Sequence, residues 1–271
     1  MSLRIGITGY TGSLGKEIIK LKLNYQYSFF KGDIRNKNEV SQWLNSANFD
    51  AIIHLAAIVP IKTVNKNKKK TYNVNYKGTK NIIDAVKTKE IKWFFFSSTS
   101  HVYLSTKKKI SERSKTKPIS YYGRTKLLAE KYIIRKLDKS NTTYCIGRIF
   151  STTNKNQKRN YLVPDLIRKI KKAKKSITLE NLNHYRDFIS MEDIARIIFI
   201  LYKKKFCGII NIASGKAICL KDIAIQISNH YKKKILFKDN VKKTYLVANI
   251  NKLKKIYKKN LVKDLKVALF R

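Results

Sequence analysis

Apolar residues fall into short blocks along the chain. Leu3-Arg4-Ile5-Gly6-Ile7-Thr8, Asp50-Ala51-Ile52-Ile53-His54-Leu55-Ala56-Ala57 and Trp93-Phe94-Phe95-Phe96 each read as a short buried strand. Near-continuous apolar strands are expected of a parallel sheet covered on both faces. Between the blocks the apolar positions recur at helical spacing: Ile18, Ile19 and Leu21, the segment 41–48, then Ile82, Ile83, Ala85 and Val86, and the segment 123–137. Strand and helix alternate, which predicts a doubly wound α/β sheet. Segment 62–70 is basic and polar and reads as a loop, while 160–175 reads as a basic amphipathic helix.

The first block runs into Gly9-Tyr10-Thr11-Gly12-Ser13-Leu14-Gly15 and then into a helix. Strand, glycine turn and helix in that order are the setting a dinucleotide motif requires. Gly9 permits the tight turn. Gly12 lets a pyrophosphate approach the amides at the helix N-terminus, and Gly15 lets the helix pack on the strand. Gly9, Thr11, Gly12, Ser13, Leu14 and Gly15 are the expected cradle for NAD or NADP. Asp33, 18 residues after Gly15, stands at about the distance where an acid meets the adenosine ribose, with Ile34 beside it. Leu55, Ala56 and Ala57 leave room for a cofactor to cross the end of their strand. Lys22 and Lys31 could suit a 2′-phosphate, but in so Lys-rich a chain they do not separate NADP from NAD. His54 reads as a satisfied core or strand-end histidine.

Tyr122 and Lys126 are four apart, one turn from each other on a single helix face. An ammonium beside a phenol favours the phenolate, so the Tyr122 pKa is expected to fall from about 10 toward the working range. Such a tyrosine can exchange a proton with a sugar hydroxyl while a hydride moves. The glycine turn upstream gives the pair its weight, because the spacing alone arises easily in a chain rich in Tyr and Lys.

Two further segments narrow the reading: Ser97-Ser98-Thr99-Ser100-His101-Val102-Tyr103 and Pro118-Ile119-Ser120-Tyr121-Tyr122-Gly123-Arg124-Thr125-Lys126. With the G-x-x-G-x-x-G turn they resemble the extended short-chain dehydrogenase/reductases, the NAD-dependent epimerase/dehydratase family that works on nucleotide sugars. The resemblance implies that Thr99 hydrogen-bonds the reacting sugar oxygen and Tyr122 is the general acid/base. Lys126 then holds the nicotinamide ribose and lowers the Tyr122 pKa. His101 fills a slot where some relatives carry an additional acid/base, and a His with pKa near 6.5 could serve there. The acidic pair of sugar-nucleotide dehydratases is absent, which disfavours dehydration.

Gly32-Asp33-Ile34-Arg35 resembles the segment that follows the family's third strand, so one strand-and-helix step is missing and the sheet edge is shortened. Asn75 resembles a structural hydrogen-bonder. Tyr185-Arg186-Asp187-Phe188 matches a second family segment in which Arg186 reaches the nucleotide diphosphate and Asp193 starts a helix. Ser151 stands where relatives place a substrate-contacting Asn, followed by Thr152, Thr153 and Asn154. Segments 208–215, 220–231 and 249–257 resemble a strand and turn, a short helix and the terminal helix. The expectation is a Rossmann domain at 1–150 and a small C-terminal α/β substrate lobe at 151–271, with 187–203 packing back on the first. The implied reaction is hydride transfer at C4 of a nucleotide-diphosphate sugar, by an epimerase or a 4-keto-sugar reductase. The implied assembly is a homodimer through the helices bearing Lys77 and Tyr122.

Composition changes this picture in one respect. The 271 residues hold 60 basic and 17 acidic side chains, a net charge of +43. A phosphate-tracking surface is one source, and an RNA-binding protein on a Rossmann scaffold is the alternative function it motivates. The charge is spread along the chain rather than gathered, as an AT-rich coding bias that inflates Lys, Asn and Ile would spread it. Specific nucleic-acid binding is therefore not expected. Cys145, Cys207 and Cys219 are isolated, which argues against a zinc site and a disulfide framework and fits a reducing cytoplasm. No leader precedes the first strand and no run approaches 18 apolar residues, so no membrane insertion is expected.

Overall fold

Ile52, Phe94 and Phe96 face one side of a sheet, while Ile5, Ile7, Ile53 and Phe95 face the other, and all seven are fully buried. This period-two alternation between two apolar cores is why the blocks fold as central strands. The computed structural model describes residues 3–59, 61–89, 91–153 and 161–258. In chain order the first half runs β1 (Arg4–Thr8), α1 (Ser13–Lys20), β2 (Gln26–Phe29), α2 (Lys37–Asn45), β3 (Ala51–His54), α3 (Ile61–Lys66) and α4 (Lys68–Tyr72). A π-helical turn at Asn73–Gly78 leads into α5 (Thr79–Lys87) and β4 (Trp93–Thr99). A 3₁₀ turn at Ser100–Val102, α6 (Tyr121–Leu137) and β5 (Thr143–Ile149) follow.

The second half runs β6 (Ser151–Thr153), α7 (Leu162–Lys172), β7 (Ser176–Glu180), β8 (Tyr185–Arg186), β9 (Phe188–Ser190) and α8 (Met191–Lys203). It continues with β10 (Gly208–Ile212), β11 (Ile218–Cys219), α9 (Leu220–His230), β12 (Lys234–Lys238), β13 (Tyr245–Leu246) and α10 (Asn251–Ile256). Residues Asn154 and Asn160 lie outside the described residues.

The main sheet is parallel throughout, in the order β10-β5-β4-β3-β1-β2. This is the doubly wound order, and the expected short edge is present: β2 pairs directly with β1, Ile7 opposite Phe29. The sixth strand, β10, comes from the second half of the chain. The α8 helix packs beside α1, with Phe199 stacked 5.5 Å from Tyr25.

The segment 62–70 corrects the loop expectation, because most of it is helical. Asn67 caps α4 by accepting from Lys70 N at 2.8 Å, and the buried Val64 and Thr71 turn this stretch toward the protein. Its Lys-rich outer face hides an inward stripe of only two residues. The helix predicted at 160–175 is α7. Its Val163, Leu166 and Ile170 are buried in a small third core with α9, so its apolar stripe is spent on packing.

One buried carboxylate joins the second half together. Asp187 is 0% exposed. Its Oδ1 accepts from Ser214 N (2.8 Å) and Ser214 Oγ (2.6 Å), and its Oδ2 from Gly215 N (2.9 Å) and Ala248 N (3.1 Å). It thereby ties the segment between β8 and β9 to the turn after β10 and to the stretch before α10.

Candidate active site

The β1–α1 turn is shaped by what its glycines lack. Gly9 has φ +72°, and a Cβ there would lie 2.6 Å from the Ala56 nitrogen. A Cβ on Gly15 would lie 2.5 Å from the Tyr10 Cα. Gly12 is different: its nearest neighbour would be the Gly9 carbonyl at 3.2 Å, and the residue is exposed. As N-cap of α1 it offers no side chain to the first amides of the helix, which leaves them to an anion. Thr11, Ser13 and Leu14 surround this opening. Leu55, Ala56 and Ala57, half-buried, follow the end of β3 beside it, where Thr8 Oγ1 accepts from Ala56 N at 3.3 Å.

Ile34 is buried against Gly78, whose Cβ would sit 2.6 Å from Ile34 Cγ1. The Asp33 carboxylate is engaged by Arg35 Nε at 2.8 Å, and that hydrogen bond holds it below the usual carboxylate range. The pair is exposed and adds little to stability. This open helix terminus, flanked by small residues, fits a dinucleotide. Gly15→Ala would force the loop and helix apart, so dinucleotide affinity is expected to fall by at least about tenfold in a fluorescence titration. An unchanged affinity would show that the close approach is unimportant.

His54 is a core histidine, as expected: Nδ1 is 2.6 Å from Thr8 Oγ1 and Nε2 is 2.9 Å from Thr79 Oγ1. Asn75 is structural, exchanging hydrogen bonds with the Ile58 backbone at 2.8 and 3.0 Å.

The second half of the site gathers where β4 ends. Ser120 caps α6 by accepting from Gly123 N at 3.1 Å. A Cβ on Gly123 would lie 2.3 Å from the His101 carbonyl oxygen, so only glycine lets α6 sit this close to the 3₁₀ turn. Thr99 is 6% exposed and accepts from His101 N at 3.3 Å. Its hydroxyl also bears on the Tyr122 phenol and opposes the rise in that group's pKa. Lys126 is 2% exposed, with Nζ 4.1 Å from the centre of the Phe96 ring. The His101 ring stands 6.1 Å from that of Tyr122.

The electrostatics correct two expectations. Burial pushes the Tyr122 phenol up, with Tyr161 adding to the effect and the Thr99 hydroxyl opposing it. The spacing of Tyr122 and Lys126 foretold a fall. Desolvation wins because it acts on both partners: Lys126 is itself pushed down to about 7 by burial, offset in part by Glu130. The site therefore keeps the proton on Tyr122. His101 is pushed down to about 4 by burial and then by Arg186, well under the expected value near 6.5. It is neutral at working pH and offers a hydrogen bond rather than a charge.

Arg186 thus bears on His101 through its charge. Its Nη1 donates to Tyr185 O at 2.8 Å and its Nη2 to Thr244 Oγ1 at 2.9 Å, and burial pushes its pKa down to about 10. Ser151 lies half-buried in β6, opposite Phe188 of β9, and its N–H donates to Asp187 O at 2.9 Å. Tyr161, the N-cap of α7, bears on Tyr122 and was not foreseen, since no motif marks it. Glu130 and Arg148 were also missed. They form a buried ion pair at 2.7 Å beneath the site, and the only hint in the sequence is a Glu four residues after Lys126. Among the described residues no three His, Cys, Asp or Glu side chains gather to hold a metal, and no helix is long and apolar enough to cross a membrane.

The model of the NAD-dependent epimerase/dehydratase family matches residues 5–213. The chain belongs to this family. It is 30% identical over 224 residues to GDP-6-deoxy-D-talose 4-dehydrogenase of Aggregatibacter actinomycetemcomitans, covering 79% of this chain and 75% of that protein. It is 30% identical over 132 residues to UDP-glucose 4-epimerase of Pisum sativum, covering 48% of this chain and 37% of that one. Among solved structures, RMD from Pseudomonas aeruginosa, complexed with NADPH, superposes with a TM-score of 0.88 over 99% of this chain and 96% of that chain. At 17% identity that likeness establishes the fold alone. The family member described here is an NAD(P)-dependent enzyme of the epimerase and oxidoreductase type, with NAD or NADP as cofactor. Neither the family nor these relatives support the RNA-binding alternative.

Proposed function

We propose that the enzyme transfers a hydride at C4 of a nucleotide-diphosphate sugar, as a 4-epimerase or a 4-keto-sugar reductase. The observation that carries this reading is the Thr99–Tyr122–Lys126 cluster at the carboxyl end of β4, in the same sheet whose glycine turn fits a dinucleotide. When bound, the dinucleotide supplies or accepts the hydride. Thr99 and Tyr122, brought together at the end of β4, share the oxygen on C4. Tyr122 holds its proton in the free site and donates it as a C4 ketone is reduced. In the oxidative half of an epimerase the phenol must first lose that proton. The phenolate then takes the one leaving the C4 hydroxyl and returns it when the hydride comes back. Lys126 holds the ribose side, neutral His101 hydrogen-bonds the sugar, and Arg186 supplies positive charge for the diphosphate. The names of two relatives, a 4-dehydrogenase and a 4-epimerase, place their chemistry at the same carbon.

The test begins with denaturing the purified protein and identifying any released dinucleotide by chromatography. The protein is then assayed with UDP- and GDP-hexoses and their 4-keto forms. Retained NAD with interconversion of C4 epimers would identify an epimerase. Exchangeable NADPH consumed against a 4-keto sugar would identify a reductase. A protein that binds neither dinucleotide would overturn the proposal.

A further inference from the structure

Glu130 lies one helical turn beyond Lys126 on α6 and is 1% exposed. Its Oε1 accepts from Ser98 Oγ and from Arg148 Nε at 3.1 Å, and its Oε2 accepts from Arg148 Nη2 at 2.7 Å. Ser98 immediately precedes Thr99 and stands opposite Arg148 in the β4–β5 ladder. One carboxylate on the catalytic helix therefore grips both members of a single cross-strand pair, next to the proposed catalytic hydroxyl. Arg148 is held from its far side, since it donates to Glu112 O at 3.3 Å and lies 4.6 Å over the Tyr103 ring.

We infer that Glu130 is a positioning residue for the reaction, fixing Tyr122 and Lys126 against Thr99 and giving buried Lys126 a counter-charge. The inference rests on the hydride-transfer reading above. Stability alone does not account for the arrangement. A buried ion pair roughly breaks even against apolar packing of the same volume, because desolvation offsets the attraction. What apolar side chains could not supply is direction toward Ser98 and negative charge near Lys126. The groups facing Lys126 agree with this. His54 from β3 is held neutral by burial, at about 3, and Phe96 from β4 presents a ring face. Glu130 on the same helix is the group that favours the ammonium. Around Glu130 stand Ser98 from β4, Arg148 from β5 and Tyr103 from the stretch after β4. Glu112 meets Arg148 through its backbone carbonyl and turns its carboxylate to Asn211 N.

The test uses full-length protein carrying Glu130→Gln, Glu130→Asp or Ser98→Ala, with kcat and KM measured across pH on a nucleotide sugar the wild type turns over. Glu130→Gln is expected to lower kcat by about tenfold or more, with the KM for substrate within about threefold. Without the carboxylate Lys126 loses its proton at lower pH, so the alkaline limb of kcat moves toward acid. Glu130→Asp should return that limb toward its wild-type place. Ser98→Ala keeps the charge and cuts one tether, so kcat should fall by about threefold or more with the limb unmoved.

A Glu130→Gln protein that melts earlier but keeps its kcat and pH profile below its melting point would overturn the inference. If Glu130→Gln does not fold, Ser98→Ala decides, and an unchanged kcat there overturns it. A wild type that turns over no nucleotide sugar would overturn the functional reading and this inference together. An active wild type with unaffected variants overturns the inference alone.

Discussion

Tyr122→Phe is expected to lower kcat by about 10²–10⁴-fold, the usual contribution of a positioned proton donor. Phenylalanine fills the same buried space, so folding and dinucleotide affinity should be nearly unchanged. What disappears is the hydroxyl that stands beside Thr99 and that burial keeps protonated. Hydride transfer to a 4-keto sugar would then have no group at hand to neutralise the alkoxide forming on C4. Single-turnover absorbance of the reduced dinucleotide separates this loss from slow product release. A rate within about tenfold of wild type would remove Tyr122 from the acid/base role.

Asp187→Asn should cause the largest loss of stability. The side chain keeps its shape, so no cavity opens, but one acceptor oxygen becomes an amide donor. Of the four donors that Asp187 accepts, the two on one oxygen would face an N–H₂ group in a site with no water access. At about 1–3 kcal/mol for each buried donor left unpaired, the penalty is about 2–6 kcal/mol. For a chain of this size that corresponds to a melting temperature lower by roughly 5–20 °C. Differential scanning calorimetry reads it directly, and a shift under about 2 °C would show that the four bonds are not a lock.

Much of the scaffold could be read from the chain. The apolar blocks at Ile5, Ile52 and Phe94 are central strands because nearly all their positions are apolar, and the missing step after Gly15 showed in the resemblance of Gly32-Asp33-Ile34-Arg35 to the segment that follows the family's third strand. Glycines spaced for a strand-to-helix turn carry their geometry in the sequence, since only a residue without Cβ fits at Gly9 and Gly15. The loop misread at 62–70 shows where the pattern fades: two inward residues among lysines make too faint a stripe. The electrostatics were the least legible. Spacing brought Lys126 and Tyr122 together, but it carries no information on how dry their surroundings are, and dryness reversed the sign of the Tyr122 shift. Tyr161 beside Tyr122, Arg186 near His101 and the four donors on Asp187 all join residues far apart in the chain, and no local spacing announces them.

The place of β10 in the main sheet bears on how the protein is made. Its partner β5 leaves the ribosome first, and roughly 60 residues separate the two strands. At about 5–20 residues per second, the backbone groups along that side of β5 wait roughly 3–12 s for their partner. Until Gly208–Ile212 emerges, the nascent Rossmann sheet has an open parallel edge, the kind of surface that recruits another strand. The half of the chain that carries the glycine turn thus depends, for its finished edge, on the half that follows it.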